Sequence, residues 1–245
     1  MEHIVLIGAG QASALAAHTL RQEGYGGALH VISDEPHVFY ERPPLSKQNL
    51  LQATELSAIQ FYSPETLQGL DIQWHLGLRA TQIDPDQKTV QLSNGDSLPF
   101  DKLLLATGSS ARVINPAWHE LSQVYQLRSL QHSHQFRERL EHIQRLVVIG
   151  GGWIGLEVAA SARQRGLEVT VLELGAQVCG RSVTPEVAQF LQTLHQQAGV
   201  NLITHCGAIE LKQSNDDSVD VYVDGVLLDQ VGAVLVATGA ALNTQ

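Results

Sequence analysis

The sequence predicts an α/β protein made of two doubly wound, Rossmann-like domains in tandem. Two observations carry this. A glycine-rich G-x-G-x-x-G pattern occurs at residues 150–155 and, with serine at its last position, at 8–13, each time between a short apolar run and a helical pattern. A hairpin signal followed by an apolar run ending in Ala-Thr-Gly also occurs twice, at 94–108 and 224–239. From Gly8 to Gly108 is 100 residues and from Gly150 to Gly239 is 89, so the chain reads as one plan used twice.

The first unit opens with "HIVLIGAGQASALAAHTLRQEGYGGALHVISDE". His3 to Ile7 has the length and apolarity of a buried strand. Apolar residues then recur at helical spacing through Leu20, and Gly24 ends the helix. A second strand, Leu29–Ile32, delivers Asp34, 26 positions after the first glycine. Gly8 permits the tight turn, and Gly10 lets a pyrophosphate approach the backbone. The helix N-terminus offers free N–H groups and the positive end of a dipole. Asp34 can accept hydrogen bonds from ribose hydroxyls. Ser13 replaces the third glycine and is small enough for close helix packing. The alternative, a plain βαβ core, has to treat all of these features as coincidence.

The second unit, "RLVVIGGGWIGLEVAASARQRGLEVTVLE", repeats the pattern with all three glycines, Gly150, Gly152 and Gly155. A strand over Leu146–Ile149 precedes them, and a helix runs to Arg165 with Gly166 ending it. A strand over Val169–Leu172 then delivers Glu173, 23 residues after Gly150. Two dinucleotide sites on one chain suggest that two dinucleotides meet, and spacing alone does not name them. A nicotinamide passing hydride to a flavin is the commonest reason for such a pair.

Composition bounds the function. The chain has 245 residues, 44% of them hydrophobic, enough for two cores. A net charge of −10 fits poorly with sequence-independent nucleic-acid binding. No apolar run approaches the ~20 residues of a membrane span. "MEHIVLIGAG" lacks a basic n-region and reads as a first strand, not a signal peptide. Cys179 and Cys206 form no CxxC, and cytoplasmic location with reduced thiols is expected. Eleven histidines show no metal-ligand spacing, so no metal site is expected. His132 and His134, among Arg137, Glu138 and Arg139, read as a solvated helix face. Residues 212–218, "KQSNDDS", read as a turn between strands.

One stretch stands apart. "YERPPLSK", residues 40–47, carries adjacent prolines that suggest a short, stiff, extended segment presenting Arg42 and Lys47. Ser46 is placed to cap the helix that follows.

The order of motifs — GxGxxG, "ERPPLSK", "LLLATG", GxGxxG with "IGLE", and a final ATG — resembles the FAD-dependent ferredoxin–NAD(+) reductases of bacterial aromatic-ring dioxygenases. "SDE", "YERPPLSK", "IGLE" and "HQQAGV" look most like the reductases of 3-phenylpropionate/cinnamic acid dioxygenase systems. The resemblance implies an FAD domain over residues 1–110, an NAD domain over 111–240, and the start of a return crossing at 241–245. It implies that Gly8, Gly10, Ala12 and Asp34 hold FAD, with Arg42 along its phosphates. Lys47 would stand beside the isoalloxazine, Ala80 would meet the adenine, and Arg128 would make a further contact. Gly150, Gly152, Gly155 and Glu173 would hold NAD. Lys47 and Glu157 would act as a catalytic pair, the ammonium stabilising negative charge as hydride arrives. Read without the resemblance, Lys47 is a solvated lysine and Glu157 a carboxylate favoured by a helix N-terminus.

The implied partner is a [2Fe–2S] ferredoxin that feeds the dioxygenase. A reductase for rubredoxin or another carrier, and an inactive nucleotide-binding fragment, are the alternatives. The resemblance also implies a longer protein, with a second FAD segment and a C-terminal interface domain. On that expectation the first domain's sheet has an open edge and FAD is held less well than NAD.

Overall fold

The computed structural model describes residues 2–215 and 217–244. They form two compact units, one of residues 2–41, 54–109 and 242–244, the other of residues 42–53 and 110–241. Residues 42–53, which the sequence reading placed in the first domain, therefore belong to the second unit.

The first unit begins with β1 (His3–Ile7), α1 (Gln11–Gln22) and β2 (Ala28–Ser33). β1 and β2 pair in parallel, from His3 opposite Ala28 to Ile7 opposite Ile32. Helix α2 (Gln48–Leu51) lies in the second unit, and the first continues with α3 (Pro64–Gly69), capped by the Ser63 hydroxyl on the Thr66 N–H. β3 (Ile72–Leu76) joins β2. A three-stranded antiparallel sheet follows, made of β4 (Ala80–Asp84), β5 (Thr89–Leu92) and β6 (Ser97–Pro99), with Asn94-Gly95 in its second turn. β7 (Lys102–Leu105) then returns beside β1, giving the parallel order β3-β2-β1-β7.

The strand β1 is apolar at successive positions because both its faces are covered. Leu6 packs with Ala14, Ala17 and Phe39 on one face, while Val5 and Ile7 pack with Val90 and Leu92 on the other. β7 forms one edge of this sheet, and its Leu105 is 60% exposed.

The second unit repeats the plan. Short β8 (Ser109–Ala111) lies where the chain enters it, followed by β9 (Val124–Tyr125) and α4 (Leu130–Leu140). Then come β10 (Arg145–Ile149), α5 (Trp153–Gln164) and β11 (Glu168–Leu172). They are followed by α6 (Pro185–Gln197) and β12 (Val200–Ile203). A second antiparallel sheet has β13 (Ile209–Asn215), β14 (Ser218–Val223) and β15 (Val226–Val231). β16 (Ala233–Val236) returns beside β10, and short β17 (Ala240–Leu242) lies where the chain leaves. The parallel order is β12-β11-β10-β16-β9. Strands β10, β11, β12 and β16 correspond to β1, β2, β3 and β7. β9 is the addition: it pairs with β16, the counterpart of β7. Val219, Val221 and Val231 of the antiparallel sheet pack on Val147, Ile149 and Val234 beneath it.

Three sequence expectations are corrected. Residues 212–218 are not a turn throughout: β13 runs to Asn215 and β14 starts at Ser218, while Asp216 lies outside the described residues. β13 is bonded on one side only, so its polar residues remain in water without breaking the ladder. Pro43–Ser46 is a 3₁₀ turn, not an extended segment. Its two prolines sit at the first helical positions, where a missing N–H costs nothing. His132 and His134 are half-buried on α4, not fully solvated.

Three imidazoles line up across β1, β2 and β3. His3 Nδ1 lies 3.3 Å from His30 Nε2, and His30 Nδ1 lies 3.1 Å from His75 Nε2, with the rings stacked. Each contact needs one N–H and one bare nitrogen, so three neutral rings satisfy both contacts in a single direction. Burial, then His75 and His3, push the His30 pKa below its ordinary value of 6.5. Burial also lowers that of His75, against an opposing pull from Asp96. The unfolded chain therefore takes up protons before the folded one does. The ladder's contribution is fully present above the unfolded value and is lost as pH falls from there through the lowered folded values. The urea midpoint is expected to drop between pH 7.5 and pH 5.5, and His30→Phe should flatten that drop. An unchanged slope in His30→Phe would refute the assignment.

Candidate functional site

The two glycine loops share one geometry. Gly8 has φ +110°, and a Cβ there would come within 2.2 Å of the Ala106 carbonyl oxygen on the segment after β7. Gly150 has φ +108°, and its Cβ would come within 2.6 Å of the Ala237 oxygen after β16. Both glycines are thus required by the neighbouring strand end. The second glycine differs: a Cβ at Gly10 or at Gly152 would meet nothing within 4 Å. These residues are the N-caps of α1 and α5, with extended backbone, and neither cap has a side-chain hydrogen bond. The side chain is missing where a ligand would need the space, beside the unpaired N–H groups of a helix start. Each loop fits a dinucleotide pyrophosphate.

The third position is structural. A Cβ at Gly155 would come within 2.0 Å of the Gly150 oxygen, so α5 packs closely on its own loop. In the first loop Ser13 takes this place, fully buried. Ala12 is exposed on the first turn of α1, Asp34 is exposed just after β2, and Ala80 is half-buried at the start of β4.

In the second unit Glu173 follows β11. Its Oε2 accepts from the Gly151 N–H at 2.7 Å and its Oε1 from the Gly175 N–H at 2.7 Å. The acid therefore ties the glycine loop to the end of the next strand, a structural use that spacing did not reveal. Each oxygen retains acceptor capacity.

The structure brings Lys47 and Glu157 together: Lys47 Nζ lies 2.8 Å from Glu157 Oε1. Lys47 Nζ also donates to the Pro43 oxygen at 3.1 Å. Glu157 sits on the first turns of α5, two residues past Gly155. Arg42 and Arg128 also meet, Arg42 Nη1 donating to the Arg128 carbonyl at 2.6 Å.

The segment bearing Lys47 is fastened by groups that sequence reasoning missed. Asn49 Nδ2 donates to Ser133 Oγ, whose own proton goes to the Leu45 carbonyl, both at 2.8 Å. Ser161 Oγ donates to the Ser46 carbonyl at 2.9 Å. Asn49 and Ser133 are fully buried, and these partners lie more than 80 positions apart in sequence. Ser46 does not cap α2, which has no side-chain cap; its hydroxyl turns instead to Glu157.

The two cysteines are free and buried. Burial, then Glu173 and Glu157, raise the Cys179 pKa, and burial, then Asp224 and Glu173, raise that of Cys206. Both remain protonated thiols at neutral pH, unlike a redox dithiol. Among the described residues no group of three or more His, Cys, Asp or Glu could hold a metal ion. None of their helices is long and apolar enough to cross a membrane.

Two glycine-loop units in tandem, with no dithiol at either, define the class as a two-nucleotide α/β oxidoreductase fold. The chain belongs to the pyridine nucleotide-disulphide oxidoreductase family, whose model matches residues 2–245. It is similar to the ferredoxin reductase for the CYP199A2 system from Rhodopseudomonas palustris, at 34% identity and a TM-score of 0.91. The match covers 98% of this chain and 59% of that one. It is also similar to the reductase in a covalent putidaredoxin reductase–putidaredoxin complex, at 32% identity and a TM-score of 0.88, covering 98% of this chain and 58% of that one. An NADH-bound water-forming NADH oxidase from Lactobacillus brevis, at 20% identity and a TM-score of 0.90, shares the fold, covering 100% of this chain and 55% of that one. The chain thus spans under three fifths of the length of these proteins.

Proposed function

We propose that the chain is the nucleotide-binding part of an FAD-dependent NADH:ferredoxin reductase. The observation that carries this reading is the Lys47–Glu157 ion pair, whose carboxylate sits on the helix that starts at the second glycine loop. Gly8, Gly10, Ala12, Asp34 and Ala80 of the first unit are assigned to FAD. Arg42, Lys47 and Arg128 are assigned to it as well, on the sequence resemblance. Gly150, Gly152, Gly155 and Glu173 are assigned to NAD. FAD, when bound, supplies the acceptor for hydride from the nicotinamide. The chain's part is to bind both nucleotides and to place the Lys47 ammonium where negative charge develops. The iron–sulfur partner is supported by the similarity to two ferredoxin-type reductases. Delivery onward to an aromatic-ring dioxygenase of the 3-phenylpropionate/cinnamate type, in the cytoplasm, rests on the sequence resemblance.

Purified chain supplemented with FAD should be reduced by NADH under anaerobic conditions and should then reduce a [2Fe–2S] ferredoxin. Absence of flavin bleaching on NADH addition would overturn the reading.

NADH is the expected donor over NADPH. Glu173 places a carboxylate at the end of β11, where a 2′-phosphate would meet like charge. Arg181, the next arginine, points elsewhere: its Nη2 would stand 3.6 Å from a Cβ at Gly239. We expect kcat/KM to favour NADH by at least about tenfold, since like charges set side by side cost several kcal/mol and about 1.4 kcal/mol is already tenfold. Equal efficiency with the two cofactors would sink the assignment.

A further inference from the structure

We propose that Ser46 is a positioning residue, its hydroxyl holding the Glu157 carboxylate so that Glu157 in turn holds the Lys47 ammonium. The consequence for hydride transfer rests on the function proposed above; the positioning itself does not.

The argument starts from the two oxygens of Glu157. Oε1 faces Lys47 Nζ at 2.8 Å, and Oε2 accepts from Ser46 Oγ at 2.5 Å. A serine has one proton to give. Its other acceptor, the Pro43 carbonyl, lies at 3.5 Å, the limit of a hydrogen bond, so the proton goes to the charged partner. The two sides of the carboxylate thus have separate tasks.

The pair alone would be weak. The side chains of Lys47 and Glu157 are 47% and 29% exposed. Two long side chains in that setting lose rotamer freedom for a screened attraction. Ser46 changes this because it is itself fixed. It is 4% exposed, and its carbonyl is held by Ser161 Oγ at 2.9 Å. A short, buried side chain with one χ angle therefore restrains the rotamer of a long, half-exposed one. Lys47 and Ser46 are adjacent in sequence, so one docked turn presents both the cation and the group that orients its counter-ion.

The test is amine acetylation of the wild-type chain and its variants, read by mass spectrometry at the chain's four lysines. Acetylation needs the nitrogen free to meet the reagent, and the 2.8 Å contact holds Lys47 Nζ against Glu157 Oε1. Ser46→Ala should raise the Lys47 rate about fivefold, the scale of an exposed pair, with the other three lysines unchanged. Ser46→Thr should restore it. In a Glu157→Gln background Ser46→Ala should add nothing. Ser161→Ala, which loosens the docking of the turn but keeps the Ser46 hydroxyl, should give a clearly smaller rise than Ser46→Ala. No rise in Ser46→Ala would overturn the proposal, as would an equal rise in Ser161→Ala. If Ser46→Ala does not fold, Ser46→Cys keeps the volume with a weaker donor; a partial rise supports the role and an unchanged rate refutes it. No nucleotide is needed, so a wild-type chain that takes no hydride from NADH defeats the proposed function and leaves this result standing.

Discussion

Lys47→Ala is expected to slow flavin reduction by NADH about a hundredfold, while NAD binding weakens far less. The asymmetry follows from when the charge appears. On the function proposed above, the nicotinamide is bound before hydride moves, whereas the negative charge that an ammonium stabilises develops only during transfer. Glu157→Ala alone should cost about tenfold, because the ammonium survives without its anchor and samples other positions. The double variant should be close to Lys47→Ala, since the 2.8 Å contact makes the pair one unit. Stopped-flow reduction of the four proteins, with FAD in excess, checks this. Effects that simply multiply would show that the two residues work independently.

Gly155→Ala and Gly152→Ala should separate folding from binding, although both change a glycine to alanine in one loop. At Gly155 the new Cβ would stand 2.0 Å from the Gly150 oxygen and 3.3 Å from Val148 Cγ1. Backbone of the loop cannot yield without moving β10, so a loss of about 3 kcal/mol or more is expected. At Gly152 the new Cβ meets nothing within 4 Å, and the cost to stability should stay within about 1 kcal/mol. On the assignment proposed above its NADH affinity should nonetheless fall at least about tenfold, because the methyl would stand in the path of the pyrophosphate. Urea unfolding and NADH titration of each variant decide the matter. Comparable instability of the two, or unimpaired NADH binding by Gly152→Ala, would refute this division of roles.

The βαβ units were legible to within one or two residues. β1 begins and ends where the apolar run does, and α5 stops at Gln164, just before Gly166. Both signals are local: a buried parallel strand needs consecutive apolar residues, and a helix ends where glycine adopts a left-handed conformation. The Asp224-Gly225 hairpin was legible for the same reason, its two residues having φ +50° and +76° as the turn requires. Polar tracts gave weaker information. Lys212–Ser214 looks like a turn but belongs to an outer strand, because an outer strand can place polar side chains in water on either face.

The sequence by itself determined that there are two glycine loops, where each helix starts, and which acid follows each second strand. These depend on backbone geometry within some thirty residues. It also singled out Lys47 and Glu157, but through resemblance and not through chemistry. Only the tertiary structure decided that Pro43–Ser46 is a helical turn docked on α4 and α5, and that Ser46 meets Glu157 in place of capping α2. It also showed that Glu173 braces the loop it follows. The physical reason is sequence distance. Ser46 and Glu157 are 111 positions apart, and a hydroxyl chooses between a local backbone N–H and a distant carboxylate only once folding has brought the carboxylate within reach. No pattern in the neighbouring residues encodes that choice, because the energy that settles it belongs to a contact the local chain does not contain.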